Sequence, residues 1–180
     1  MKDILIITCL LLFSSVTSPL LAQKNAFIED YLERLESSRK YLILVTETMP
    51  EDKYDFKASI ESKTFAENLM HIGWAMDWHS QSLLGEREPR DWRTDTELRP
   101  DNKSKQEMIA KIDETFDKTI QLITEFDVAK LEDELDYFGL NRTKRQILML
   151  LSDHITHHRG QMLVYLRMNG ITPPRYVLFQ

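Results

Sequence analysis

Apolar residues return every three or four positions over four stretches of the chain, the repeat that lines one face of an α-helix. The first stretch, about Asn25 to Thr48, carries Phe27, Tyr31, Leu32, Leu35, Tyr41, Leu42 and Leu44 and stops before Met49-Pro50. The second opens at Thr64-Phe-Ala-Glu67 and ends at Leu84-Gly85. The third opens at Ser104-Lys-Gln-Glu107 and runs to about Phe126 through Met108, Ile112, Phe116, Ile120 and Ile123. The fourth opens at Thr143-Lys-Arg-Gln146 and reaches Asn169-Gly170, beyond which Thr172-Pro173-Pro174 prevents extension. Each of the last three openings has a hydroxyl residue followed three positions later by Glu or Gln. In such a box each partner satisfies a backbone N–H that the first helical turn leaves free.

Sustained apolar/polar alternation is absent, and five glycines leave little material for hairpins, so the chain predicts an all-α, up-and-down-like four-helix bundle. Two connections, Gly85 to Lys103 and Asp127 to Arg142, are charged and too long for tight turns. Loops of that length in a small bundle often cover a site.

The N-terminal segment reads differently. Lys2 precedes an apolar run from Ile4 to Phe13, then small and polar residues, Pro19 and a Leu-Leu-Ala ending at Ala22, the order of a signal peptide. The expectation is a signal over residues 1–22 and one domain over 23–180, exported to a bacterial periplasm without stable membrane insertion. The apolar run is shorter than the roughly 20 residues of a membrane span. The single cysteine, Cys9, falls inside it. A mature domain without cysteine has neither disulfides nor a thiol nucleophile, and rests on its own apolar core. The net charge of −6 disfavours nucleic acid as a partner. A small-molecule substrate is the expected partner, and a homodimer is left open.

The candidate chemistry lies in histidines. Of five, His154 and His158 are four apart in the last helix and His71 stands in the second. At about 100° per residue, with His154 at zero, Ile147 and Tyr165 fall near 20°, His158 near 40°, Leu151 near 60° and Gln161 near −20°. The pair therefore projects into the apolar seam, whereas His157 near −60° and Arg159 near 140° lie off its centre. His71 shares its side with Thr64, Glu67, Asn68, Ala75 and Trp78, at the border of a polar strip and an apolar one. Taken alone, two histidines four apart are more often surface or hydrogen-bonded groups than ligands. Three inward-facing imidazoles change the balance, because burying them without a shared partner leaves several ring nitrogens unsatisfied. His79 and His157 are expected in solvent.

The run His154-Ile-Thr-His-His158-Arg159-Gly160-Gln161, with Tyr165-Leu-Arg-Met-Asn-Gly170-Ile-Thr-Pro173-Pro174 after it, resembles the last helix and tail of the DinB/YfiT-like family. Leu69-Met-His71-Ile-Gly-Trp74 resembles that family's second-helix motif. The resemblance implies a four-helix bundle with a divalent metal held by His71, His154 and His158. Similar proteins include thiol S-transferases using bacillithiol or mycothiol, and a mycothiol-dependent isomerase. Export weighs against those cytoplasmic thiols. The expected function is therefore a metal-dependent hydrolase or transferase with an open three-histidine site. The alternative is a non-catalytic metal- or haem-binding protein of the cell envelope. Three imidazoles suit zinc, nickel, iron, copper and manganese to different degrees. Gln161 is a candidate to hydrogen-bond a ligating imidazole. Glu67 is a candidate to orient His71 or act as a general base, beside its simpler role in the capping box. Trp74 and Trp78 read first as core anchors and second as a substrate wall.

Overall fold

All three expected capping boxes close in both directions. Thr64, Ser104 and Thr143 accept from the backbone N–H three residues on, and Glu67, Glu107 and Gln146 reach back to the N–H of each cap. These caps fix the helix starts at the expected residues. The computed structural model describes the backbone of residues 2–177 and side chains from Ala22 to Val177. Its elements are α1 (Lys2–Thr48), α2 (Phe65–Asp77) continued by a π-helical segment (Trp78–Leu84), α3 (Lys105–Thr124), β1 (Glu134–Tyr137), β2 (Leu140–Thr143) and α4 (Lys144–Met168). The side chains of residues 1–21 of the expected signal lie outside the described residues. Among the described residues no helix is long and apolar enough to cross a membrane.

α4 ends as its sequence asks. Gly170 adopts φ +73, Gly170 N–H donates to Arg167 O, and Ile171 N–H donates to Leu166 O at 2.9 Å. This pairing caps the last carbonyls and needs the left-handed residue that glycine supplies without strain.

The all-α bundle is as expected, with two differences. α2 packs on α3 and α4, and α1 packs on the same two, so α1 and α2 take opposite corners. A simple up-and-down order would make them neighbours. The second difference is a hairpin in the connection expected to lack strands: β1 pairs with β2 in antiparallel register, Tyr137 opposite Leu140. Phe138 (φ 55) and Gly139 (φ 80) make its two-residue turn. Left-handed values at both central positions define the hairpin turn whose twist matches the strands. Phenylalanine is an unusual residue there, which is why the segment reads as loop.

The core is one cluster shared by the four helices, with Leu42, Leu69, Ile112, Phe116, Ile147 and Leu151 all at or below 1% exposure. Gly73 brings α3 close to α2: a Cβ there would stand 2.7 Å from Ile112 Cδ1 and 3.1 Å from Leu98 Cδ2. Leu98 belongs to the first long connection, which is tied down by charge as well. Buried Asp77 accepts from Arg87 and from Arg90 Nε at 3.1 Å. Arg90 also meets Asp95 and Glu97 at 2.6 Å, and Lys111 on α3 meets Glu97 at 2.8 Å. A long charged connection is thus fastened to two helices.

Gly73→Leu should destabilise the fold by about 1–3 kcal/mol through overpacking against Ile112 and Leu98. Gly73→Ala should have a smaller effect, because the nearest atom is the mobile end of a side chain. Denaturant unfolding checks both.

Candidate metal centre

α2 contributes His71 and α4 contributes His154 and His158. The ring centroids stand 5.0 Å apart for His71 and His154, and 4.6 Å apart for each of the other two pairs. One nitrogen from each ring lies within 4.8 Å of the other two. Two nitrogens each about 2 Å from one ion are at most about 4 Å apart, so this spacing is close to that of a shared ligand set.

Burial holds all three rings neutral. It lowers His71 to about 4, with the Lys63 ammonium adding to the effect. His154 is lowered to about 4 and His158 to about 3 by burial first and by neighbouring histidines and Lys63 after it. A neutral imidazole keeps the lone pair that a metal needs. His154 Nε2 is buried with no hydrogen-bond partner among the described residues, an orphaned donor atom of the kind a divalent ion takes.

Asn68 sets the tautomer of His158. Its Nδ2 donates to Thr64 O at 2.9 Å and Lys63 O at 3.2 Å, which turns Oδ1 toward His158 Nδ1 at 2.8 Å. Since Oδ1 can only accept, Nδ1 carries the proton and Nε2 is left free. The sequence places Asn68 on the side of His71 but shows no partner for it. The link spans 90 residues and exists only once α2 and α4 pack.

The two candidate assisting residues sit elsewhere. Gln161 Nε2 meets His157 Nε2 at 2.9 Å, so its partner is an exposed histidine and none of the three clustered rings. Glu67 Oε2 accepts from Thr64 N–H at 2.6 Å, the capping role, and no hydrogen bond joins it to His71. It does share with His71 the wall of a cavity of about 660 Å³, together with Lys63, Trp74, Trp92 and Arg99. Trp74 is therefore a wall residue as well as a core one. Trp78 packs on the hairpin instead, 5.5 Å from the Tyr137 ring and 5.3 Å from Phe138.

His79 corrects a sequence expectation. It is 2% exposed rather than solvated. Its Nδ1 donates to Ala75 O at 2.7 Å, which leaves Nε2 to accept from the Tyr137 hydroxyl at 3.0 Å. Both nitrogens are engaged, so His79 is no ligand although its ring lies 6.2 Å from that of His154. The hairpin that covers it left no strand signal. Arg159, expected off the seam, is also buried, against α1 and the tail.

Alanine at His71, His154 or His158 should each sharply weaken retention of a divalent ion, with exposed His157→Ala as the control, measured by elemental analysis. Asn68→Ala should weaken it about 10–100-fold by freeing the orientation of His158. The metal-free protein has a signed pH dependence. With folded values below the ordinary 6.5, the neutral rings contribute fully above about pH 6.5, and stability falls as pH drops toward 4. Melting temperature against pH should show this fall, with a shallower slope in His154→Ala.

The DinB family model matches residues 22–179. The uncharacterized protein YjoA of Bacillus subtilis is 26% identical over 160 residues, 84% of this chain and 94% of its own. The crystal structure of a DinB-like protein, YjoA, from B. subtilis has the same fold, with a TM-score of 0.66 and 22% identity over 82% of this chain and 97% of that one. A DinB-like protein from Bacillus cereus matches with a TM-score of 0.63 and 23% identity over 83% and 95%. The resemblance read from the His154 to Pro174 run therefore extends over the whole domain, and the chain belongs to the DinB family.

Proposed function

We propose that this protein is an exported, metal-dependent hydrolase or transferase whose ion is held by His71, His154 and His158. The observation that carries the reading is the trio itself: neutral imidazoles of two facing helices, one with its tautomer fixed, beside a cavity that shares His71. The residues fit a divalent metal by donor chemistry and by the unpartnered His154 Nε2. An ion bound by neutral ligands keeps its full charge, and would supply Lewis-acid polarisation of a substrate heteroatom. Zinc, nickel, iron and manganese are the candidates. The order of charge, apolar run and small residues over 1–22 supports export.

The chain's own residues set what can be bound. The cavity of about 660 Å³ is the size of a small-molecule site. Trp74, Trp92 and Leu98 offer apolar wall, and Lys63 and Arg99 offer cationic donors at its rim. The Asp77 and Arg90 network holds in place the connection that carries Trp92, Leu98 and Arg99. Only Cys9 carries a thiol, and it precedes the domain, so the reaction proceeds without a cysteine nucleophile.

A screen of hydrolytic and group-transfer reactions with the metal-loaded protein is the test. Chelation should abolish the activity found and restoring the ion should recover it. Trp92→Ala, on an exposed side chain, should raise KM more than it lowers kcat. Full turnover by a verified metal-free preparation would contradict the proposal, and failure of a broad screen would favour the metal-binding alternative.

A further inference from the structure

Arg159 follows His158 in sequence but faces the seam with α1, away from the histidine trio. It is 4% exposed. The Tyr41 ring lies 5.0 Å from its guanidinium carbon and the Tyr176 ring 6.0 Å. Aromatic rings take up the face of a guanidinium, whereas its N–H groups point outward in its plane and need acceptors. Nη1 is buried and has no such partner, and among the described residues no carboxylate pairs with Arg159. Arg34, an exposed residue of α1, adds a second positive charge nearby. A cation taken out of water normally has a counter-charge.

Beside it lies a small pocket of about 40 Å³ lined by Arg34, Ser37, Ser38, Thr156, Arg159 and Tyr176. Its polar wall consists of two guanidinium groups and several hydroxyls, with no carboxylate. A volume of that size holds a group of a few heavy atoms, since one water needs about 10–15 Å³ by the same measure. We propose that this pocket is an anion site that takes one oxyanion group, a carboxylate or a phosphate, against Arg159 and Arg34. Planar guanidinium groups pair with such oxygens through parallel hydrogen bonds, and the serine and threonine hydroxyls donate to the rest. The site is distinct from the histidine trio and shares no residue with it. Occupied, it would tie α1, α4 and the Tyr176 tail together.

The test uses the full chain, dialysed free of oxyanions and held at constant ionic strength. Sodium phosphate, sodium acetate and sodium chloride are titrated in turn, with melting temperature as the readout. Phosphate or acetate should raise it saturably above the chloride curve, and the stronger of the two identifies the preferred oxyanion. His71→Ala, expected to be impaired at the metal centre, should respond like wild type. Arg34→Gln, on an exposed side chain, should raise the half-saturating concentration roughly tenfold, the loss of one charge-assisted contact. Arg159→Gln should abolish the response, and Arg159→Lys should keep part of it. The proposal is overturned if wild type gives no saturable response beyond chloride, if Arg34→Gln responds as wild type does, or if His71→Ala loses the response.

Discussion

Three imidazoles held between α2 and α4, His158 buried and His71 and His154 half-buried, constrain the whole molecule. Each must stay neutral to be buried, and each carries two ring nitrogens that want partners. Asn68 answers one of these demands for His158 and is fixed by the carbonyls of Lys63 and Thr64. Those carbonyls belong to the entry of α2, so the cap that starts the helix also sets the proton on a ring across the seam. A shift of α2 along α4 would break the amide link and the spacing of the trio together.

The connections depend on this seam. The first long one is held by Asp77, at the end of α2, and by Leu98 against Gly73, two residues from His71. It brings Trp92 and Arg99 to the cavity that His71 also lines. The second folds into the hairpin whose Tyr137 hydroxyl completes His79. What reads as two polar loops is one wall of the cavity and one lid over a buried histidine. The side of α4 turned to α1 carries a separate polar feature, Arg159, with no residue in common with the trio.

Much of this was legible in the sequence because it is local. Capping boxes and three-to-four spacing are properties of one segment, and they located the helix starts and put His71, His154 and His158 on inward faces. The parts that were not legible are long-range. Asn68 acquires its role from a residue 90 positions away. His79 is buried by a hairpin whose Phe138-Gly139 turn lacks the usual turn residues. Gln161, well placed by angle, turned to His157, since a flexible amide takes the nearest exposed partner. The diagonal placement of α1 and α2 follows from how four apolar faces pack, which no single face reveals.

Whether one ion reaches three neutral rings is tested most directly by nitrogen NMR of ¹⁵N-histidine-labelled protein during a zinc titration. One nitrogen each of His71, His154 and His158 should shift in step and saturate at one equivalent. His158 should keep a protonated Nδ1 throughout, while His79 retains its Nδ1–H tautomer and His157 is unaffected. Shifts led by His157 or His79, or no saturation among His71, His154 and His158, would contradict it.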